Sequence, residues 1–113
     1  MYQVDFYTLP SGRSPVAEFM DNCQKPLRKK ILREIRYLKQ FGVSKDNPNL
    51  RKLTGTPLWE VRILGNDSTR LICVIVFNGK IVVVNVFKKK GKKTPQRELL
   101  VSLERYKRLT TDI

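Results

Sequence analysis

Histidine is absent from all 113 residues. That gap removes Ser-His-Asp and Cys-His nucleophile systems and every histidine metal site at once. Cysteine is scarce: Cys23 and Cys73 make neither a metal-ligand spacing nor a disulfide framework, and Cys73, inside "RLICVIVF", reads as a small apolar core residue. Acidic residues are few and scattered, with no pair on one element suited to a metal-dependent nuclease or a glycosidase, so no metal and no cofactor are expected. Neither a Walker-type phosphate loop nor a dinucleotide-binding glycine fingerprint occurs. No apolar run approaches the roughly 18 residues of a membrane span. The opening "MYQVDFYTLP" has no basic segment followed by an apolar one. A cytoplasmic protein without a membrane partner is expected.

What the chain does have is positive charge. Lysine and arginine total 23 against 10 acids, a net +13, and such a field attracts polyanions. A hydrophobic content of 41% beside 29% charged residues is ordinary for a globular protein, and the length suits one domain over residues 1–113. Catalysis here has only Lys, Arg, Tyr and a few acids to draw on. The reactions left are those in which positive charge does most of the job, chiefly phosphodiester cleavage.

Along the chain, "YQVDFYTL" predicts a first strand, closed by the turn cluster "PSGRSP". Ser14 and Pro15 start a short helix, and Pro26 opens a longer one in which Leu27, Ile31, Ile35 and Leu38 form one apolar stripe that stops at Gly42. A second strand follows over about 58–64, then "GNDS", "TRLICVIVF", "NG" and "KIVVVNVF" predict a three-stranded meander. The near-continuous apolarity of the last two strands implies that helices cover most of the sheet. In "TPQRELLVSLERYKRL" a final helix is expected, with Thr94 capping, Pro95 at the first position, and Leu99, Leu103 and Tyr106 as its stripe. The fold class is α+β, a small antiparallel sheet in the order β-α-α-β-β-β-α.

Alternation in the second strand sends Trp59, Val61 and Ile63 to the core and Leu58, Glu60, Arg62 and Leu64 to the other face. If the "GNDS" hairpin is tight, Arg62 and Arg70 are neighbours across it. They are then either a bidentate phosphate clamp or ion-pair partners of Glu60 or Asp67. The next strand delivers Asn85 and a cluster of five lysines, Lys88, Lys89, Lys90, Lys92 and Lys93, held between two core elements beside a helix N-terminus. Lys52 extends the same patch. Lys52, Asn85, Lys88, Lys90 and Lys92 are thus candidate nucleic-acid contacts, RNA contacts if the ligand is RNA.

The segments "LRKLTGTPLWEVRI", "RLICVIVF" and "FKKKGKKTP", in that order and spacing, resemble the RelE/HigB-like toxins of bacterial and phage toxin–antitoxin pairs, in particular their phage-derived HigB-like branch. The resemblance covers about residues 2–108. It implies a RelE-like fold and a ribosome-dependent mRNA endoribonuclease that a cognate antitoxin, usually a helix-turn-helix repressor, neutralises. Carried over residue by residue, the matching positions are Arg62, Arg70, Lys89, Lys90 and Lys93, of which Arg62, Arg70, Lys89 and Lys93 are the implied catalytic groups. Asn85 stands where the branch often has histidine, and a neutral amide cannot act as a general base near pH 7. The implied reaction is metal-independent: the 2′-OH of a nucleotide attacks its own 3′ phosphate, the two arginines hold the non-bridging oxygens, and Lys89 or Lys93 serves as base. The rival classes are a gyrase poison of the ParE type and a non-catalytic RNA- or DNA-binding module.

Overall fold

A computed structural model describes residues 1–65 and 68–111. Strand β1 (Val4–Phe6) leads through a turn to α1 (Pro15–Asn22), whose N-cap is Ser14: its Oγ accepts from the Ala17 amide at 3.3 Å, and Pro15 fills the first turn. Helix α2 (Lys25–Phe41) follows after two residues, and Arg28 from its first turn donates to the Met20, Asp21 and Cys23 carbonyls at the end of α1. Leu27, Ile31, Ile35 and Leu38, the predicted stripe, are the buried residues of α2.

Gly42 ends α2 at φ 71°, ψ −164°, a region that only glycine enters freely, and its amide donates to the Leu38 carbonyl at 2.8 Å. A Cβ at this position would lie 2.7 Å from the Tyr2 ring, which the Tyr2 amide holds there by donating to the Lys39 carbonyl at 2.8 Å. Gly42→Ala is therefore expected to lower stability by about 1–3 kcal/mol, read as a shifted urea midpoint. Combining it with Tyr2→Ala should return only the part due to the clash, because the backbone strain stays.

The remaining elements are β2 (Leu50–Lys52), β3 (Trp59–Arg62), β4 (Thr69–Ile75), β5 (Ile81–Lys88) and α3 (Gln96–Thr111). The sheet runs β1-β5-β4-β3-β2. The expected meander is present as β3-β4-β5, and its second turn carries Asn78 and Gly79 at φ 71° and 76°. Two features depart from the expectation. The three-residue β2 adds an edge strand, too short for alternation to reveal. The sheet is mixed, because β1 pairs parallel with β5; a chain that passes through two helices before rejoining the sheet is not bound to the antiparallel geometry that a hairpin imposes.

Both faces of the sheet are covered. On one, α1 and α2 pack against Val61, Ile63, Leu71, Cys73, Ile81 and Val83. On the other, Leu99, Leu103, Tyr106 and Leu109 of α3 pack against Leu58, Ile72, Val74, Val82 and Val84. This is why β4 and β5 read as continuous apolar runs rather than alternating ones. The start of α3 corrects the predicted cap. The helix begins at Gln96, the Pro95 carbonyl accepts from the Leu99 amide at 3.1 Å, and the Thr94 hydroxyl donates instead to Glu60 Oε2 at 2.8 Å. Thr94 thus acts as a charge-assisted donor to a buried carboxylate and not as the acceptor that a capping residue supplies to the first helical amides.

Cys73 is fully buried, and burial pushes its thiol up to about 12. Thiol-specific reagents at pH 8 should label the half-buried Cys23 in the native protein and reach Cys73 only on unfolding. Stoichiometric native labelling of both would contradict the packing of β4.

Candidate functional site

The β3–β4 register pairs Arg62 directly with Arg70, and the β4–β5 register pairs Arg70 with Phe87. Partners across a ladder share a face, so both arginines project to the α3 side. Lys89, two residues beyond Phe87, returns to that side, where it is buried. On the edge strand, Arg51 lies opposite Glu60. Together Arg51, Glu60, Arg62, Arg70 and Lys89 line one cleft of about 170 Å³, closed at its rim by Pro48, Asn49 and Leu50.

Glu60 sits at its floor, 4% exposed. Its Oε1 lies 3.2 Å from Arg51, 3.6 Å from Arg70 and 3.9 Å from Lys89, while Oε2 accepts from Thr94. Of the two alternatives left by the sequence, Glu60 thus pairs with Arg70 but not with Arg62; Asp67 lies outside the described residues. Among the described residues Arg62 forms no ion pair, and it is exposed. Four cations against one carboxylate leave the cleft at a net +3. Arg70 is held on two sides: its Nη1 donates to the Thr69 carbonyl at 3.1 Å, and its buried Nε–H faces Glu60 Oε1 at 3.6 Å, an ion pair too long to be a hydrogen bond.

The family described as phage-derived protein Gp49-like matches residues 18–107, most of the chain. The protein belongs to the Gp49-like family. A chain of the archaeal RelE–RelB complex from Pyrococcus horikoshii OT3 is similar to this Gp49-like protein with a TM-score of 0.60 and 21% identity, covering 81% of this chain and 98% of its own. A mutant of the E. coli toxin RelE, solved in the free state, is similar with a TM-score of 0.59 and 16% identity over 99% of this chain and 97% of its own. At those identities the likeness is one of fold: the Gp49-like protein has the architecture of RelE toxins. No curated protein matches it in sequence.

The other predicted residues of this Gp49-like protein fall in three places. Lys93 and Lys52 line a neighbouring depression with Thr94, and it shares Arg51 with the cleft. There the Lys52 ammonium donates to the Thr56 carbonyl and lies 5.6 Å from the Trp59 ring centre. Lys88, Lys90 and Lys92 are exposed and line neither depression, and Lys88 has the opposite strand parity to Lys89. Asn85 requires correction as an RNA contact. It is 6% exposed, its amide nitrogen donates to Glu98 Oε1 at 3.1 Å and Ser102 Oγ at 3.2 Å, and α3 covers it. Its role is to fasten α3 to β5.

Three contributors were not foreseen. Arg51 comes from the strand too short to predict. The role of Glu60 as common partner of three cations depends on elements far apart in sequence. Thr94 pins the lysine segment to β3 and not to its own helix. The spacing that could have exposed Arg51 is its alternation with Lys52, which puts the two on opposite faces of any strand formed there.

Proposed function

We propose that this Gp49-like protein is the toxin of a type II toxin–antitoxin pair and that it cuts mRNA on the ribosome as a metal-independent endoribonuclease. One observation carries the reading: Arg62, Arg70 and Lys89 meet in one cleft whose single carboxylate neutralises only part of their charge. A phosphodiester fits that surplus, and one of its oxygens would give Arg70 Nε–H the short hydrogen bond that Glu60, at 3.6 Å, does not make. The RelE architecture supports the toxin assignment, and the RelB-bound form of one structural neighbour supports an antitoxin partner here, of helix-turn-helix type by the resemblance noted above.

In the proposed reaction the 2′-OH attacks the adjacent phosphorus, the bond from phosphorus to the 5′ oxygen breaks, and the products are a 2′,3′-cyclic phosphate and a 5′-OH. Arg62 and Arg70 stabilise the charge that grows on the non-bridging oxygens. Lys89, which lines the cleft, and Lys93, which lines the adjoining depression, divide the proton transfers, one taking the 2′-OH proton and the other giving one to the leaving oxygen. Exposed Lys90 and Lys92, with Lys88 and Lys52, add attraction for the strand on either side. Substrate and ribosome place the work in the cytoplasm, and among the described residues no helix is long and apolar enough to cross a membrane.

Mapping the 5′ ends of cellular RNA after brief induction tests the proposal. New 5′-OH ends inside translated regions, lost when initiation is blocked, are the expected result. Intact mRNA together with a DNA-damage response would assign the protein to gyrase poisoning. Intact mRNA with salt-sensitive RNA binding alone would make it a non-catalytic module.

A further inference from the structure

A second concentration of charge lies on the opposite layer of the molecule. The buried stripe of α2 leaves the helix's other side in solvent, and there Lys25, Lys29, Arg33 and Arg36 recur at intervals of four, four and three. Those intervals stack them on one helix face, about 5–6 Å apart over some 16 Å. The sheet separates them from the cleft, because α2 packs on the Val61 and Ile63 face whereas Arg62 and Arg70 project toward α3. The stripe is therefore not the rim of the site already described.

Nor does it have the mixed charge of an ordinary solvated surface. Some exposed cations on other elements meet acids, as in Arg13 with Glu18, Lys80 with Asp5 and Arg108 with Glu104. Among the described residues none of the four stripe cations forms an ion pair. The helix's one acid, Glu34, accepts from Asn49 at 3.4 Å, and burial holds its carboxyl above the usual range. Like charges one turn apart oppose helix formation, so the row carries an internal cost that an external polyanion would relieve.

We infer that this face of α2 is a second polyanion site, and that it takes the phosphate backbone of a nucleic-acid duplex. Surfaces that hold single strands interleave cations with aromatic platforms for the bases. No aromatic residue lies between Lys25 and Arg36, and Tyr37 and Phe41 beyond it pack on each other at 4.6 Å. A protein partner would want several apolar anchors at the centre and few lysines, whereas this row sets a single large exposed apolar residue, Leu32, among its cations. Evenly spaced charge without stacking platforms, and with only Leu32 as an apolar neighbour, matches a ladder of phosphates whose bases are already paired. The inference stands independently of cleavage, since it concerns another face and is read by binding.

The test measures anisotropy of a labelled 16-base-pair RNA duplex and a DNA duplex of the same sequence between 50 and 200 mM salt. Combining Lys25→Gln, Lys29→Gln, Arg33→Gln and Arg36→Gln should lower the slope of log affinity against log salt by about 3–4 and weaken duplex binding more than about tenfold. Glutamine at these exposed sites keeps helix propensity, which far-UV circular dichroism checks. Replacing Lys25 and Lys29 with arginine should preserve the slope, and Arg62→Ala should leave it within about one of the parent. Equal losses on both duplexes identify the phosphate backbone alone; loss on RNA only adds its A-form geometry. An unchanged slope in the fourfold variant overturns the inference. So does an equal loss from Arg62→Ala with Arg70→Ala, which would mean one diffuse field, or a parent that binds polyglutamate as tightly as the duplexes and loses it to the same four changes.

Discussion

Arg62→Ala should lower cleavage of ribosome-bound mRNA by about 10²–10³-fold while leaving the unfolding midpoint within experimental scatter. The two halves of that expectation rest on different observations. Stability should hold because Arg62 is exposed and, among the described residues, forms no ion pair, so its removal strands no partner. Activity should fall because Arg62 is the cation of the cleft least committed to Glu60 and so the one most available to a phosphate. Losing one preorganised donor to a developing oxyanion typically costs two to three orders of magnitude in turnover. Primer extension on a translated message, with parent and variant at equal ribosome occupancy, gives the ratio. Arg62→Lys separates charge from shape: if bidentate grip matters, lysine recovers binding but little of the rate. A variant that still cuts at the parental rate would move the catalytic role away from β3.

The parts of this site visible in the sequence were those set by local pattern. Leu27, Ile31, Ile35 and Leu38 announce the buried face of α2, and Asn78-Gly79 announces the hairpin that brings β4 back against β5. The neighbourhood of Arg62 and Arg70 follows from two strands and a short turn, and the ladder places them opposite each other. What stayed hidden depends on contacts between distant elements. Thr94 donates to Glu60 across 34 residues, a pairing that displaces the helix cap suggested by its neighbours Pro95 and Gln96. Asn85 looks like a polar residue next to a lysine cluster, yet it is a tether because α3 folds over that part of β5. Arg51 enters through a three-residue strand that exists only because β3 offers it an edge. Periodicity reports which face a residue takes; it is silent on what later covers that face.

Glu60 is where those long-range contacts converge, and Glu60→Ala should be among the most destabilising substitutions in the protein, by about 3 kcal/mol. The Arg51 contact contributes little, since that side chain is 60% exposed and screened by water. The cost comes from Lys89 and Arg70, whose side chains are 6% and 15% exposed and would remain close together without their common counter-charge. The Thr94 hydroxyl would also lose its acceptor, which frees the lysine segment from β3. Glu60→Gln divides these effects, because its amide oxygen can still accept from Thr94 while the charge is gone; a midpoint between parent and alanine variant is expected in urea. Millimolar phosphate should restore part of the loss in both variants by taking the carboxylate's place among the cations. Binding and turnover should then separate. A variant freed of its internal anion gains attraction for single-stranded RNA, yet cuts more slowly because Arg70 and Lys89 are no longer held in position. If Glu60→Ala unfolds at the parental midpoint and phosphate changes nothing, the carboxylate does not organise the cleft.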